Sequence, residues 1–199
     1  MQGKTAWSIM NNKNNASLVR TSRKVHRFIA AALFLLFLII PVTGLMLGWK
    51  KNTGEILLPV SHEGTTSNTE EWLSYDTLKN VALKALRDYA GEDISTELDR
   101  IDARPSVGMV KYVFKDHYWE VQLDAATADI LSVSKRRSDI VENIHDGSIL
   151  DKAFKTERGI FKIIYTSLIG LALLTLAVSG FWLWYGPRLI RKNKKKDRS

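Results

Sequence analysis

Residues 28–49 read FIAAALFLLFLIIPVTGLMLGW, a run of 22 residues without a charged side chain. At 1.5 Å per residue, a helix of this length crosses a hydrocarbon core of about 30 Å. A second uncharged stretch covers residues 163–187. Buried helices of soluble proteins usually keep a polar face, which neither run shows. The sequence therefore predicts two transmembrane helices, at residues 28–49 and 161–186.

Aromatic residues stand near the ends of both predicted spans, where membrane helices meet the interface: Trp49 on the first, and Trp182, Trp184 and Tyr185 on the second. A cleaved signal peptide is the alternative for the first run, but its apolar region is usually shorter and is followed by small residues. Here the run ends in the sequence GWKK at residues 48–51. This ending favours a retained anchor.

Positive charge is concentrated at the two ends of the chain. The net charge is +8, with six basic and no acidic residues in 1–27, and seven basic residues against one acidic residue in 187–199. Residues 28–186 therefore carry a net charge of −4. Basic flanks stay on the cytoplasmic side of a membrane. We therefore predict basic cytoplasmic tails at residues 1–27 and 187–199, with the segment between the spans outside the cytoplasm.

This distribution and the missing motifs exclude several function classes. A nucleic-acid binder carries its positive charge on the folded body, so no nucleic-acid partner is expected. The chain has no cysteine, which excludes disulfides and cysteine chemistry. It has no HExxH, Walker or GxSxG motif, so no metal site and no catalytic residue is predicted. Neither uncharged run, 28–49 or 163–187, holds an ionisable residue of the kind that transporters use.

Between the spans the sequence predicts a small α+β domain at residues 74–135, after a connecting loop at 50–73. Apolar residues recur at helical spacing from Ser74 until Gly91, which predicts one amphipathic helix. Alternating or apolar segments predict the strands of an antiparallel sheet of three or four strands: residues 98–104, 109–115, 118–123 and 128–134. Residues 136–160 are predicted as an amphipathic connecting helix.

The end of this domain and its flanks resemble a known family. Residues 118–127, YWEVQLDAAT, resemble the PepSY domain, whose sheet ends in a strand–Asp-x-x-Thr-Gly–strand turn, although Ala128 stands here in place of the glycine. The sequences KVHR at residues 24–27 and IHDG at 144–147, each next to an apolar span, are similar to PepSY-associated transmembrane helices. The resemblance covers roughly residues 20–190 and implies a membrane protein with two transmembrane helices flanking an extracytoplasmic PepSY-like domain, a helix packed on an antiparallel sheet.

The family implies a bacterial inner-membrane protein with a periplasmic domain, and two functions stay open. Some PepSY domains resemble modulators of peptidases, which implies an accessory binding module in iron-siderophore acquisition or envelope regulation. Larger four-span relatives are similar to ferric-siderophore reductases that carry b-type haem on histidines. This chain has two predicted spans, so the second function requires a homodimer or a membrane partner protein.

His26 and His145 match the histidines of the family's motifs, and the resemblance implies that they are cofactor-binding ligands of haem b. The predicted topology places them on opposite sides of the membrane, about 30 Å apart, so they cannot share one haem. Each would pair with the equivalent histidine of a second chain. The alternative is an interfacial role for His26 and a loop contact with Asp146 for His145. For His62 and His117, in predicted loops, we expect no ligand role.

Two pairs of small residues are predicted helix-packing positions. Thr43-Gly44 in the first span and Ser179-Gly180 in the second form a short sequence echo, and small residues let helices approach closely in lipid. Two charged features are predicted to face solvent, as isolated charges and charge runs usually do. They are Glu120 and the run Lys135-Arg136-Arg137.

Overall fold

The computed structural model describes the backbone of residues 6–196 and the side chains of residues 13–156 and 158–195. The first five residues of the predicted N-terminal tail and the last three of the C-terminal tail lie outside the described residues. The helices are α1 (Ala6–Ala32), α2 (Phe34–Trp49), α3 (Tyr75–Ala90), α4 (Arg137–His145), α5 (Ser148–Phe154) and α6 (Ile160–Lys196). The strands are β1 (Leu98–Arg104), β2 (Met109–Phe114), β3 (Trp119–Asp124) and β4 (Ile130–Lys135).

The chain forms two compact units, one made of the residues up to Pro41 with those from Glu157 onward, the other of Val42–Thr156. Two helical stretches are long and apolar enough to cross a membrane, Phe34–Asn52 and Ile160–Lys195. Only 6% and 11% of the residues in their most apolar windows are buried within the chain, whereas the core helix of a soluble protein would be mostly buried. Lipid contact accounts for apolar helices exposed in this way.

In the first unit, α1 and α6 run antiparallel. Val19 on α1 is 6% exposed, and one of its methyl carbons, Cγ2, would lie 2.6 Å from a side-chain carbon added at Gly186. About two helical turns further along α1, the ring of His26 lies beside Gly180 on α6. Glycine at both points lets the helices approach closely. Helix α1 therefore starts within the stretch predicted as a basic tail, and its residues 19–26 lie beside the apolar part of α6.

In the second unit, helix α3 packs on a four-stranded antiparallel sheet of order β1-β2-β3-β4. Helix α3 begins where the Ser74 hydroxyl accepts a hydrogen bond from the N–H of Thr77, and it ends at Gly91 with φ +105°. The core between helix and sheet consists of ten buried residues, namely Leu78, Ala82, Ala85, Leu86, Val110, Tyr112, Phe114, Val121, Leu123 and Ala125. The predicted amphipathic helix and α+β fold class are confirmed.

Two local predictions need correction or completion. The segment 136–160 holds two short helices, α4 and α5, where one was predicted, because Gly147 takes a left-handed φ of +78° between them. Ala128, at the turn position where the family has glycine, takes φ +65°. The turn thus has a left-handed residue here, although alanine adopts this conformation at a cost in energy.

The second face of the sheet is covered by the segment 57–66, which belongs to the predicted connecting loop. Gln122 fixes this segment, since its amide nitrogen donates to the carbonyl of Val60 at 2.8 Å and its oxygen accepts from the N–H of His62 at 3.1 Å. As a result Lys111, Glu120 and Gln122 are all nearly or fully buried. The prediction that Glu120 faces solvent is wrong, because strand alternation places it on this covered face.

Glu120 is the centre of a buried charge cluster that also corrects the prediction for residues 135–137. Its carboxylate binds the guanidinium of Arg136 at 2.7 Å and lies 3.6 Å from the ammonium of Lys111. Arg136, predicted as part of an exposed run, turns inward and also binds Asp139 at 2.8 Å. Burial by itself lowers the pKa of Arg136, but the hydrogen bonds that it donates to Asp139 and Glu120 outweigh burial and raise the pKa above its usual value.

Asp124 anchors both the turn after β3 and the covering segment. Its carboxylate accepts hydrogen bonds from the backbone N–H groups of Thr65, Ala126 and Thr127, at 2.7, 2.8 and 3.2 Å. Burial by itself raises the pKa of Asp124, but these bonds favour the charged form and hold the pKa below its usual value of 3.8.

We expect Asp124→Asn to lower the free energy of unfolding by about 1–3 kcal/mol at neutral pH, because charge-assisted hydrogen bonds are lost. The pKa of Asp124 is lower in the folded than in the unfolded chain. Its stabilisation is therefore complete above the unfolded value and disappears as the pH falls through the folded value. Urea unfolding of the full chain in detergent, followed by tryptophan fluorescence, should show a smaller difference at about pH 3 than at about pH 7. An equal difference at both would contradict this account.

Candidate functional site

His26 on α1 is fixed by a hydroxyl group on α6. Its ring nitrogen Nδ1 lies 2.9 Å from the Oγ of Ser179, which is 7% exposed. The single hydroxyl proton of Ser179 is donated to the carbonyl of Leu176 at 3.2 Å. In the tautomer in which Nδ1 donates to Ser179, the other nitrogen, Nε2, keeps its lone pair in the neutral ring. This tautomer is the one that a metal-binding imidazole needs.

His145, the last residue of α4, repeats this arrangement in the second unit. Its Nδ1 lies 2.8 Å from the Oγ1 of Thr43 on α2, and Thr43 is 7% exposed. Nδ1 is therefore the nitrogen that the hydroxyl engages. Helix α4 ends here because Gly147 takes its left-handed conformation two residues later. The turn is held by Asp146, whose carboxylate accepts from the N–H of Ser148 at 2.9 Å.

A glycine stands beside each histidine ring. A side-chain carbon added at Gly180 would lie 3.5 Å from Cε1 of His26, and one added at Gly44 would lie 3.5 Å from Cε1 of His145. Each imidazole thus rests close to the backbone of the helix that also supplies its hydroxyl partner. A side chain larger than alanine would push the ring away. The two sites therefore share one design, a histidine held by a hydroxyl–glycine pair.

A cleft opens on the side of α1 where His26 lies. Its apolar wall contains Ala30, Ala31, Phe34 and Leu183, and its basic residues are Arg23 and Arg27. On α1, residues 23, 26, 27 and 30 share one helix face by their spacing. The cleft thus combines an imidazole, a flat apolar wall with small residues, and two guanidinium groups. These are the groups that a planar apolar ring carrying carboxylates would contact.

The structure thus places each of the two predicted ligand histidines next to one of the predicted helix-packing pairs. It joins His26 to Ser179-Gly180 and His145 to Thr43-Gly44, whereas those small residues were predicted for helix packing. The sequence echo between the two pairs was the available signal for a shared role. The sequence did not predict the cleft lined by residues 23–34, because helix α1, which supplies most of its lining, begins before the predicted span.

The two other histidines, His62 and His117, also lie in the second unit. His117 Nε2 lies 2.8 Å from the carbonyl of Ser95, and the N–H of His62 donates to Gln122. Within the described residues no group of three histidine, aspartate or glutamate side chains is placed to hold a metal ion.

Comparison with known proteins gives one family. The family model described as PepSY-associated TM region matches residues 23–199, which include both histidines and both hydroxyl–glycine pairs. No curated protein and no solved structure gives a significant match to the chain.

Proposed function

The chain belongs to the family described as PepSY-associated TM region, and on that premise we propose that this membrane-associated PepSY module binds b-type haem through His26 and His145. The observation that carries the proposal is the repeated hydroxyl–histidine pair, at 2.9 and 2.8 Å. Metal-binding histidines are oriented by a hydrogen bond to the other ring nitrogen, and both rings are held in this way. A b-type haem supplies a one-electron ferric/ferrous couple when bound.

The surroundings of His26 fit a haem group. Ala30 and Ala31 leave space beside the imidazole, and Phe34 offers an aromatic face to a porphyrin. Arg23 and Arg27 are exposed at the same helix face and have no acidic residue within ion-pair distance among the described residues. Their guanidinium groups suit the two propionates of haem. The hydrogen bond between Ser179 and Nδ1 orients the ring, and Gly180 lets the ring lie close to α6.

We propose that a second copy of the chain completes each haem site with its own equivalent histidine. The predicted topology, with both termini in the cytoplasm of a bacterium and the PepSY domain in the periplasm, separates His26 from His145 by the membrane. Two copies would bring two equivalent histidines to each side and provide four transmembrane helices. Such a dimer would carry electrons from a reduced electron carrier on the cytoplasmic side to a ferric siderophore outside, whose iron would be reduced to the ferrous state.

The second candidate function is an accessory module without haem, in iron-siderophore acquisition or envelope regulation. It is supported by the rigidity of the second unit, where both faces of β2 and β3 are buried and Gln122 and Asp124 pin the covering segment. A rigid domain on a membrane anchor is suited to binding a partner, because little order has to be created on association.

The visible absorption spectrum decides between the two. The full chain would be purified in mild detergent from haem-replete cells and measured oxidised and then reduced with dithionite. We expect a Soret band and sharp α and β bands after reduction. A colourless protein would contradict haem binding and leave the accessory function. Chemical cross-linking in membranes that yields monomer alone would contradict the dimer.

A further inference from the structure

The turn between α4 and α5 contacts the apolar helix α2 some way before its aromatic end. We call residues 143–154 the α4–α5 corner. The Nδ1 of His145 lies 2.8 Å from the Oγ1 of Thr43, and its Cε1 would lie 3.5 Å from a side-chain carbon added at Gly44. Thr43 comes six residues before Trp49, which ends the apolar run and marks the membrane interface. Because six helical residues span about 9 Å, the corner reaches about 9 Å into the membrane from the level of Trp49.

Helix α5 has a polar face and an apolar face. On the polar face, the hydroxyl of Ser148 donates to the Oδ1 of Asn143 at 2.8 Å, and the buried Asp151 accepts from the hydroxyl of Thr156. By helical spacing, the opposite face consists of Ile149, Leu150, Ala153 and Phe154. All four side chains are exposed, and none carries a charge. This apolar face of α5 therefore points away from the polar contacts that hold the corner.

Several polar side chains of the corner are paired within the second unit. The amide nitrogen of Asn143 donates to the phenol oxygen of Tyr118 at 2.9 Å, and the carboxylate of Asp146 accepts from the N–H of Ser148 at 2.9 Å. The ammonium of Lys152 lies 4.4 Å from the centre of the Tyr118 ring, so this charge is directed at the sheet and not at the apolar face of α5. Contacts of this kind allow a non-helical turn to lie at membrane depth, where water is absent and protein groups must satisfy the polar atoms.

We propose that the α4–α5 corner is a re-entrant element, with the apolar face of α5 inserted among lipid acyl chains. The contact with Thr43 places the corner below the interface, and the uncharged exposed face of α5 is a surface that acyl chains can cover without desolvating a charge. His145 is then held below the interface, out of bulk water. The inference goes beyond the proposed haem function and does not rest on it, because none of its evidence involves a bound haem.

Spin labels on single cysteines test the proposal, since the chain has no native cysteine. Leu150→Cys and Ala153→Cys, both on the apolar face of α5, would be labelled with a nitroxide in the full chain, in nanodiscs of phosphatidylcholine. Power-saturation electron paramagnetic resonance would then compare collisions with molecular oxygen, which concentrates in hydrocarbon, and with a nickel chelate, which stays in water. We expect frequent collisions with oxygen and few with nickel at both positions.

The matched control is Ile130→Cys, which also replaces an exposed apolar residue of the second unit. Ile130 pairs with Leu123 near the end of β3, whereas the corner contacts Tyr118, just before β3 begins. A label at Ile130 should collide more with nickel, so the ratio of oxygen to nickel collisions should be several-fold higher at Leu150 and Ala153.

Two results would overturn the proposal. Nickel collisions at Leu150 and Ala153 as frequent as at Ile130 would place the apolar face of α5 in water. Few collisions with either reagent would show that protein covers this face, as a second copy of the chain would. Since the measurement needs no haem, its outcome is separate from that of the haem spectrum.

Discussion

Replacing His26 with alanine is expected to abolish the haem absorbance of one site, and replacing His145 that of the other. The double variant should be colourless. Each site has one imidazole, which is held by its own hydroxyl–glycine pair. No other described side chain lies there to replace it as a ligand. The imidazole that is removed is the group that would hold a haem at that site. The haem content, measured per chain as the pyridine haemochrome, should fall by half in each single variant.

The controls for this prediction are the two remaining histidines, His62 and His117. His62→Ala and His117→Ala should keep the full haem content, since neither ring is held by a hydroxyl–glycine pair. Ser179→Ala should keep haem but change its reduction potential, because the hydrogen bond to Nδ1 sets how strongly the imidazole donates to iron. Equal haem content in His26→Ala, His145→Ala and the two controls would contradict the assignment of both ligands.

The sequence predicted well those parts of the fold that depend on neighbours along the chain. Helix α3 has its apolar residues three or four apart between Ser74 and Gly91, and the strands alternate, so each element could be recognised by itself. The burial of Glu120 could not be predicted in this way, because strand alternation shows on which face of the sheet a side chain lies but not what covers that face. The covering segment 57–66 has a loop-like composition and reaches the sheet through hydrogen bonds that span about sixty residues.

The candidate sites show the same limit more strongly. His26 and Ser179 are 153 residues apart in sequence, and Thr43 and His145 are 102 apart. The family motifs picked out the histidines, and the echo picked out the hydroxyl–glycine pairs, but only the packing of α1 on α6 and the fold of the second unit join them. The reason is physical, since a hydrogen bond between distant residues depends on the whole path of the chain between them.

The buried carboxylate of Glu120 leads to the largest stability effect that we expect. Glu120→Ala leaves Lys111 and Arg136, which are 4% and 13% exposed at their side chains, with Asp139 on Arg136 as the remaining described ion-pair partner. Burial already lowers the pKa of Lys111, which shows that its charged form is disfavoured there, and Glu120 offsets this in part. Breaking a buried ion pair from one side costs about 3–5 kcal/mol.

Amide hydrogen exchange of β2 and β3 in the full chain measures this cost, since these strands open with the free energy of the domain. The expected increase in exchange rate for Glu120→Ala is roughly two to four orders of magnitude. Glu97→Ala is the matched control, because it breaks the exposed pair with Lys115, and exposed pairs contribute little. Glu120→Gln should lie between them, since it keeps hydrogen-bonding capacity but removes the charge. Similar exchange rates in Glu120→Ala and Glu97→Ala would show that burial of Lys111 and Arg136 does not require the ion pairs with Glu120. The covering segment, rather than these ion pairs, would then keep this face of the sheet buried.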